Sequence, residues 1–278
     1  MTKPIPILMY HSISSHASPE FREFTVSPRL FAEHMQVVRQ GRFTAITVAQ
    51  FVNAMNAASA ELPECPVILT FDDGFADFYT HALPVLKEFG FTATLFVTTA
   101  FVEGTSRFLE REGEGARPMI SWRQLSEVNA NGIECGAHSH THPQLDVLPT
   151  VIARDEIVRC KQILEERLGR QVNSFAYPYG YYTDAVKQLV RAAGYSSACA
   201  TRFSMSSTAD DPYALSRLLV TADTRVDDLA AMLTGHGSPV KATFRRARTT
   251  VWQFVRRGRA RWADMTPERT RTEWHRPH

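Results

Sequence analysis

Two adjacent aspartates, Asp72 and Asp73, follow an apolar run at residues 66–71 and precede Gly74. Like charges close together raise the pKa of one carboxyl sharply unless a cation lies near them. A metal ion would meet this requirement, because one carboxylate could ligate it while the other stays free to take a proton. The alternative is an ordinary Asp-Asp-Gly turn, which is a common loop sequence.

Three histidines, His138, His140 and His142, come directly after the predicted strand 133–136. Neutral imidazole is a good ligand for zinc and related divalent ions. Because His138 and His142 are four residues apart, both can reach one ion from a single turn, while His140 points elsewhere. Two imidazoles and one carboxylate leave positions on the metal for water and substrate, as a catalytic site requires. A solvated turn with incidental histidines is the alternative.

A third cluster, Tyr177-Pro178-Tyr179-Gly180, stands at the end of another predicted strand. Proline fixes φ and glycine permits unusual backbone angles, so this loop is expected to be stiff. Such a loop can present a backbone N–H to an oxyanion, and its aromatic rings can stack on a sugar face. An ordinary turn packed by tyrosines is the alternative.

The elements that must position these clusters alternate along the chain. Apolar, β-branched or aromatic runs predict strands. N-caps such as Ser27 and Ser121, and stretches that end at a glycine, such as 79–89 and the amphipathic 149–168, predict helices. Strands separated by helices imply βα units and a parallel sheet. Polar clusters at the strand ends favour a (β/α) barrel with its chemistry on the C-terminal face. His11 ends the first predicted strand, so it either faces the site or packs in the core.

Together, the three clusters resemble the motifs of the polysaccharide deacetylases with a NodB-homology domain, carbohydrate esterase family four. The resemblance extends over about residues 5–235. It implies an α/β fold, a distorted (β/α)7 barrel of the NodB type. The residues that carry it are, in chain order, Asp72-Asp73, His138 to His142 with Pro143, and Tyr177-Pro178-Tyr179-Gly180.

The resemblance also implies roles for these residues. Asp73, His138 and His142 would hold a divalent metal, often zinc, with Co²⁺, Ni²⁺ or Fe²⁺ as other candidates. Asp72 would be the general base, and the backbone N–H of Tyr179 would help to bind the oxyanion. The residues expected to bind substrate are His11, Tyr177, Pro178 and Tyr179.

Two departures from the family pattern bear on the mechanism. The family usually has an arginine where Ala176 stands, and that arginine orients the base carboxylate. The alanine version of the motif and the stretch Leu215-Ser216-Arg217-Leu218 resemble the branch that acts on poly-β-1,6-N-acetylglucosamine and other exopolysaccharides. A late Leu-x-x-His motif normally supplies the general acid. Leu233-Thr234-Gly235-His236 matches its letters but follows a predicted helix, so His236 is a candidate acid in an unusual setting.

The C-terminal part of the chain differs in charge. Residues 229–263 hold eight basic and no acidic side chains, and because the whole chain has a net charge of +2, the remainder carries −6. We therefore expect a deacetylase-like domain at 1–235 and a basic helical extension at 236–278. The segment 240–262 interleaves aromatic and basic residues, which suits packing on the barrel or contact with an anionic membrane surface. No nucleic-acid motif accompanies it.

Other classes are disfavoured by composition. The sequence has no apolar stretch of transmembrane length and no signal-peptide pattern at its start, so we expect a cytoplasmic protein that can associate with a membrane. The four cysteines form no Cys-x-x-Cys pair and are expected to be free thiols.

These observations favour a metal-dependent hydrolase that removes N-acetyl groups from an N-acetylhexosamine-containing glycan, either an exopolysaccharide or its lipid-linked precursor. Two alternatives stay open. One is a deformylase or other amidohydrolase on the same fold, and the other is a weakly active carbohydrate-binding pseudoenzyme.

Overall fold

The computed structural model describes residues 4–56, 61–201 and 203–235. The strands in this part of the chain are β1 (Ile7–Tyr10), β2 (Ser12–Ile13), β3 (Thr25–Val26), β4 (Thr44–Ile46), β5 (Pro66–Phe71), β6 (Thr94–Val97), β7 (Glu134–Ala137), β8 (Ser174–Ala176), β9 (Ser197–Cys199) and β10 (Leu218–Leu219). The α-helices are α1 (Pro28–Gln40), α2 (Val48–Asn56), α3 (Leu83–Phe89), α4 (Trp122–Ala130), α5 (Thr150–Leu168), α6 (Asp184–Ala192) and α7 (Val226–Thr234).

The main sheet is parallel and has the strand order β10-β1-β5-β6-β7-β8-β9, with β4 paired to the first half of β5. Cys199, at the end of β9, forms a parallel bridge with Leu215, and β10 pairs with β1. The segment 215–219, which we call the closing segment, therefore contacts both edges of the sheet. The sheet curls into a partly closed barrel with helices around it, which confirms the predicted fold class.

Two apolar layers are built from alternating strand positions, because successive side chains of a strand point to opposite faces. Leu8 and Leu69 face outward and pack in the larger cluster with the surrounding helices. Ile7, Ile68 and Phe96 face inward and pack in a smaller cluster that α2 joins. The barrel interior therefore holds an apolar layer below the level at which the strands end. Towards the other end of the strands, the carboxylate of Glu134 accepts hydrogen bonds from the hydroxyls of Thr94 and Ser174, at 2.8 and 2.5 Å.

Helix starts follow the predicted capping signals. Side-chain oxygens of Ser27, Ser121 and Thr183 accept hydrogen bonds from the first turns of α1, α4 and α6. The predicted helix 79–89 differs, because its first part, Phe78–Ala82, is a π-helix that leads into α3. Pro84 lies in the first turn of α3 and has no N–H to donate to the preceding turn, which favours the wider winding there.

Several sequence predictions concern residues outside the described ranges. These are the basic extension, its membrane contact at 240–262, and His236. Within the described ranges, no helix is long and apolar enough to span a membrane. The cytoplasmic location stays a prediction.

The cysteines are free thiols, as expected. Cys135, Cys160 and Cys199 are buried, and burial raises the pKa of each thiol to about 12. They therefore stay protonated at neutral pH, which makes them poor nucleophiles.

One fully buried histidine, His34 of α1, connects β1 to the turn before α7 through hydrogen bonds. Its Nε2 lies 2.9 Å from the carbonyl oxygen of Thr224, and its Nδ1 lies 3.2 Å from the hydroxyl of Tyr10. A neutral ring satisfies both contacts, with Nε2–H donating to the carbonyl and Nδ1 accepting from the hydroxyl. Burial lowers the pKa of His34 below its ordinary value of 6.5.

This depressed pKa predicts an acid-dependent loss of stability. Because the unfolded chain binds the proton more readily than the folded one, the stabilising contribution is present above about pH 6.5 and is lost as the pH falls below it. The free energy of unfolding of the wild type should fall more steeply towards acid than that of His34→Gln, by at most about 1.4 kcal/mol per pH unit. Urea titrations at several pH values measure this, with exposed His16→Gln as the control. Parallel profiles for wild type and His34→Gln would contradict the prediction.

Candidate active site

Polar side chains from several strands meet in one cavity at the C-terminal end of the barrel. His11, Asp72 and His138 each stand one residue beyond β1, β5 and β7. Because inward and outward positions alternate, they continue the interior rows above the apolar core. With Asp73 and His142 they line a cavity of about 310 Å³. This volume is at the lower end of ligand pockets, roughly 300–1,000 Å³, so it suits a sugar-sized group rather than a whole glycan.

Three of these side chains could share one metal ion. Asp73 Oδ1 lies 3.5 Å from His138 Nε2 and 3.2 Å from His142 Nε2. One ligand atom from each residue lies within 4.8 Å of the others, and all three side chains are buried. Two imidazole nitrogens and one carboxylate oxygen are donors that zinc and related ions accept. The structure thus brings together the three residues expected to be ligands.

Hydrogen bonds on the far side of the histidine loop hold these ligands in place. His138 Nδ1 lies 2.9 Å from the carbonyl oxygen of Ala176, and a proton on Nδ1 leaves Nε2 directed at the cavity. Glu156 of α5 accepts hydrogen bonds from the backbone N–H and the hydroxyl of Thr141, at 2.7 and 2.6 Å. His140 turns away from the cavity, as its spacing predicts.

A fully buried arginine holds the carboxylate of Asp72. Arg217 Nη1 donates to Asp72 Oδ1 at 2.6 Å, and Nη2 donates to Oδ2 at 2.7 Å. The guanidinium also lies 5.6 Å from the centre of the Phe96 ring, and Nη1 lies 3.3 Å from the hydroxyl of Thr70. Such a forked pair fixes the orientation of the carboxylate as well as its charge.

The sequence did not reveal this role of Arg217. The family arginine is absent at Ala176, whose small side chain packs with Phe96 and Cys199 inside the barrel. Arg217 reaches Asp72 from the closing segment instead, across a separation of 145 residues. The sequence signals were an arginine in a mostly apolar stretch and the resemblance of that stretch to the exopolysaccharide branch, and neither of them indicates the partner of Arg217.

The electrostatics of the two aspartates differ. Burial alone would raise the pKa of Asp72, but the Arg217 guanidinium and then His138 outweigh it and hold the pKa below its usual value. Burial acts on Asp73 in the same way, and its contacts with His138 and His142 hold its pKa below the usual range. Both carboxylates are therefore ionised at neutral pH. Within the described part of the chain, Asp72 has an arginine partner, whereas Asp73 pairs with histidines alone.

Backbone strain is concentrated around the same cavity. Non-glycine residues rarely adopt positive φ, and each such conformation costs roughly 1–3 kcal/mol unless the surroundings impose it. Of the seven such residues in the described ranges, five belong to the cavity or its loops. These are Asp73 (φ 76°), Ser139 (φ 62°), His142 (φ 62°), Tyr179 (φ 60°) and Phe203 (φ 52°).

The tyrosine-rich loop contributes a different set of side chains from the one expected. Tyr177 is fully buried, because the strand alternation turns it outward towards the helices, and its hydroxyl donates to a backbone carbonyl at 3.0 Å. Pro178 is buried as well, and neither residue lines the cavity. Tyr179 does line it, with its ring centre 4.8 Å from that of His142. The substrate contact expected for Tyr177 and Pro178 is therefore corrected to Tyr179.

His11 lies in the cavity rather than in the core. Its ring packs 5.1 Å from that of Phe24, and both residues line the cavity. Its Nδ1 is enclosed and has no hydrogen-bond partner among residues 4–56, 61–201 and 203–235. Burial lowers the pKa of His11, although Asp73 and Asp72 act in the opposite direction.

The fold and the cavity together define a hydrolase with a candidate metal site at the end of a parallel barrel. Residues 59–198, half of the chain, match the family model for polysaccharide deacetylases, so the chain belongs to that family. The motifs in the sequence predicted this membership.

Related proteins and solved structures support the same family. The poly-β-1,6-N-acetyl-D-glucosamine N-deacetylase of Staphylococcus epidermidis is 24% identical over 217 residues, which cover 74% of this chain and 71% of the relative. Among solved structures, the deacetylase PplD of Streptococcus pyogenes in complex with acetate is 27% identical, with a TM-score of 0.72 over 84% of this chain and 99% of that chain. IcaB of Ammonifex degensii is 28% identical, with a TM-score of 0.71 over 83% and 97%.

The buried ion pair predicts a combined loss of stability and rate when Arg217 is removed. Arg217→Ala leaves the Asp72 charge buried without its partner, which should destabilise the fold by about 3–5 kcal/mol. Loss of orientation should lower kcat by roughly 100-fold, and Arg217→Lys should fall between, since it keeps the charge but not the fork. Urea unfolding and steady-state kinetics measure both effects. Arg123→Ala, which removes an exposed pair with Glu127, is the control, and equal losses in the two alanine variants would contradict the prediction.

Proposed function

We propose that this chain removes N-acetyl groups from the N-acetylhexosamine units of an exopolysaccharide or of its lipid-linked precursor. The observation that carries the proposal is the position of Asp72, held by Arg217, beside Asp73, His138 and His142 in one cavity. The substrate class is supported by the Staphylococcus epidermidis relative, whose name specifies poly-β-1,6-N-acetyl-D-glucosamine.

The proposed cofactor is a divalent metal ion, with zinc favoured and Co²⁺, Ni²⁺ or Fe²⁺ as alternatives. Asp73, His138 and His142 would hold it, and the donor set fits because the Asp73 charge has histidines but no Lys or Arg as ion-pair partners in the described part of the chain. When bound, such an ion polarises the amide carbonyl and acidifies water. Three protein ligands leave further positions open, as in catalytic sites.

Asp72 is the proposed general base. Its pKa, held below the usual range, keeps the carboxylate ionised at neutral pH, so it can accept a proton from the attacking water. Arg217 occupies one lone pair on each oxygen, and a carboxylate has further acceptor sites to offer. His138 Nε2 lies 3.9 Å from Asp72 Oδ2, so the base stands beside the proposed ligands and not among them.

The backbone N–H of Tyr179 is the proposed donor to the oxyanion. Its left-handed conformation is held by the next residue, because Gly180 N–H donates to the carbonyl of Tyr177 at 2.8 Å. Gly180 also has φ 71°, and a Cβ there would come within 2.5 Å of the Thr201 side chain, so only glycine suits this turn. A fixed donor of this kind contributes roughly 3–4 kcal/mol to transition-state stabilisation.

The leaving amine needs a proton, and two imidazoles are candidates to supply it. His236 matches a family motif by its letters but lies outside the described residues. His11 has the geometric support, since its ring lines the cavity and its enclosed Nδ1 lacks a partner in the described structure. We therefore assign the acid to His11, whose protonated form the neighbouring charges of Asp73 and Asp72 favour, against the effect of burial on its pKa.

Acetate release from N-acetylglucosamine oligomers tests the proposed function. Asp72→Asn should lower kcat by about 100- to 10,000-fold, because the base is lost, but should keep the bound metal. His138→Ala should lose both activity and metal. His140→Ala, which removes an imidazole from the same loop outside the cavity, is the matched control and should retain both.

The outcomes of that assay separate the alternatives. Formate release from formylated sugars without acetate release would favour a deformylase. Glycan binding with bound metal and no turnover would favour a pseudoenzyme. Full activity in Asp72→Asn would show that the assignment of the base is wrong.

A separate prediction concerns the acid. His11→Ala should lower kcat by about 100- to 10,000-fold while the metal content and the binding of glycan stay close to those of the wild type. Metal analysis and glycan titration measure the two controls, and His16→Ala serves as the exposed variant. An unchanged kcat in His11→Ala would exclude this role.

A further inference from the structure

Glu112 is a carboxylate of the cavity wall that has no role in the proposed reaction. Glu112 lines the same cavity as Asp72, Asp73 and His11. Its side chain is half-buried, and Oε2 is fully enclosed without a hydrogen-bond partner within the described ranges. Enclosing a carboxylate oxygen without a donor is unfavourable, because the hydrogen bonds lost to water are not replaced.

The loop that carries Glu112 is held firmly, so this arrangement is not the result of a loose side chain on a free loop. The Ser18 hydroxyl donates to the carbonyl of Glu112, and the Ser18 N–H donates to the side chain of Glu114. Arg117 pairs with Glu114 at 3.0 Å and with Asp77 at 3.2 Å. These contacts join the loop to the start of the chain and to the segment after β5.

The cavity around Glu112 is largely apolar. Phe21, Phe24, Leu109 and Phe203 line it together with Glu112, and Leu109 is buried. A largely apolar wall with a few polar groups, which here include Glu112 and Glu23, is the usual composition of a ligand pocket, in which apolar side chains cover the ligand and a few polar atoms select its orientation. The acceptor would be satisfied when a donor of the ligand enters.

We propose that Glu112 is a specificity-determining residue that accepts a hydrogen bond from the glycan when the glycan is bound in the cavity next to the proposed metal ligands. This inference rests on the proposed function. The donor is either a hydroxyl of the acetylated sugar or the ammonium of a neighbouring unit that has already lost its acetyl group. Either donor would bind to the same carboxylate, but the hydroxyl is neutral and the ammonium is positively charged.

Kinetics with two substrates test this assignment. The variants are Glu112→Ala, Glu112→Gln, which keeps the volume and one acceptor oxygen, and Glu110→Ala, which removes an exposed carboxylate from the same turn. The substrates are a fully N-acetylated glucosamine oligomer and one of equal length with a single free amine. Glu112→Ala should raise KM about 10- to 100-fold with little change in kcat, since it removes a contact made equally in the ground and transition states. Glu110→Ala should match the wild type.

The two substrates distinguish the donors. If a hydroxyl is bound, KM rises for both substrates and Glu112→Gln is less affected than Glu112→Ala. If an ammonium is bound, KM rises only for the substrate with the free amine, the two variants behave alike, and added salt reduces the difference.

Failure of this inference is distinct from failure of the proposed function. If the wild type releases no acetate from either oligomer, the proposed function is wrong. A wild type that turns over, with the KM of folded Glu112→Gln and Glu112→Ala unchanged for both substrates, would overturn only the role of Glu112.

Discussion

The site depends on how the charges of two adjacent buried carboxylates are balanced. Arg217 neutralises Asp72 through a forked ion pair, while Asp73 faces two imidazoles. Without these partners, neighbouring carboxylates in a poorly solvated interior could not both stay ionised. The two identical side chains therefore have different properties. Both are ionised, but Arg217 holds Asp72 in one orientation, whereas Asp73 lies where a cation would be stabilised.

The same ion pair connects the chemistry to the closure of the barrel. Arg217 lies in the closing segment, which pairs with β1 and bridges to β9. Its backbone carbonyl also accepts a hydrogen bond from Phe203 N–H at 3.1 Å, next to the cavity wall. The segment that joins the two sheet edges thus also carries the residue that holds the proposed base. Stability and activity are coupled here through one interaction.

The tightly packed barrel interior next to the cavity supports the cavity residues that have strained backbone conformations. A Cβ at Gly136 would come within 2.6 Å of the Phe96 ring and 3.1 Å of the Ser174 carbonyl, so this interior position of β7 admits no side chain. Two positions further along, His138 uses the same inward row to reach the cavity. Close packing below, and the hydrogen bonds that Thr141 donates to Glu156 behind the loop, explain how His142 can keep a positive φ.

The sequence by itself determined the barrel class, the cluster of Asp73, His138 and His142, and the neighbouring Asp72. The clusters follow from local properties, namely apolar strands that end in polar residues and a spacing that lets one turn present two imidazoles. The choice of Asp73 as ligand and Asp72 as base follows from the resemblance to the family. Only the tertiary structure decided that Tyr177 turns away from the cavity, because one residue of strand register exchanges the two faces. Only it could assign Arg217 to Asp72, since a contact between distant parts of the chain arises when the closing segment meets both edges of the sheet, and no local pattern encodes that meeting.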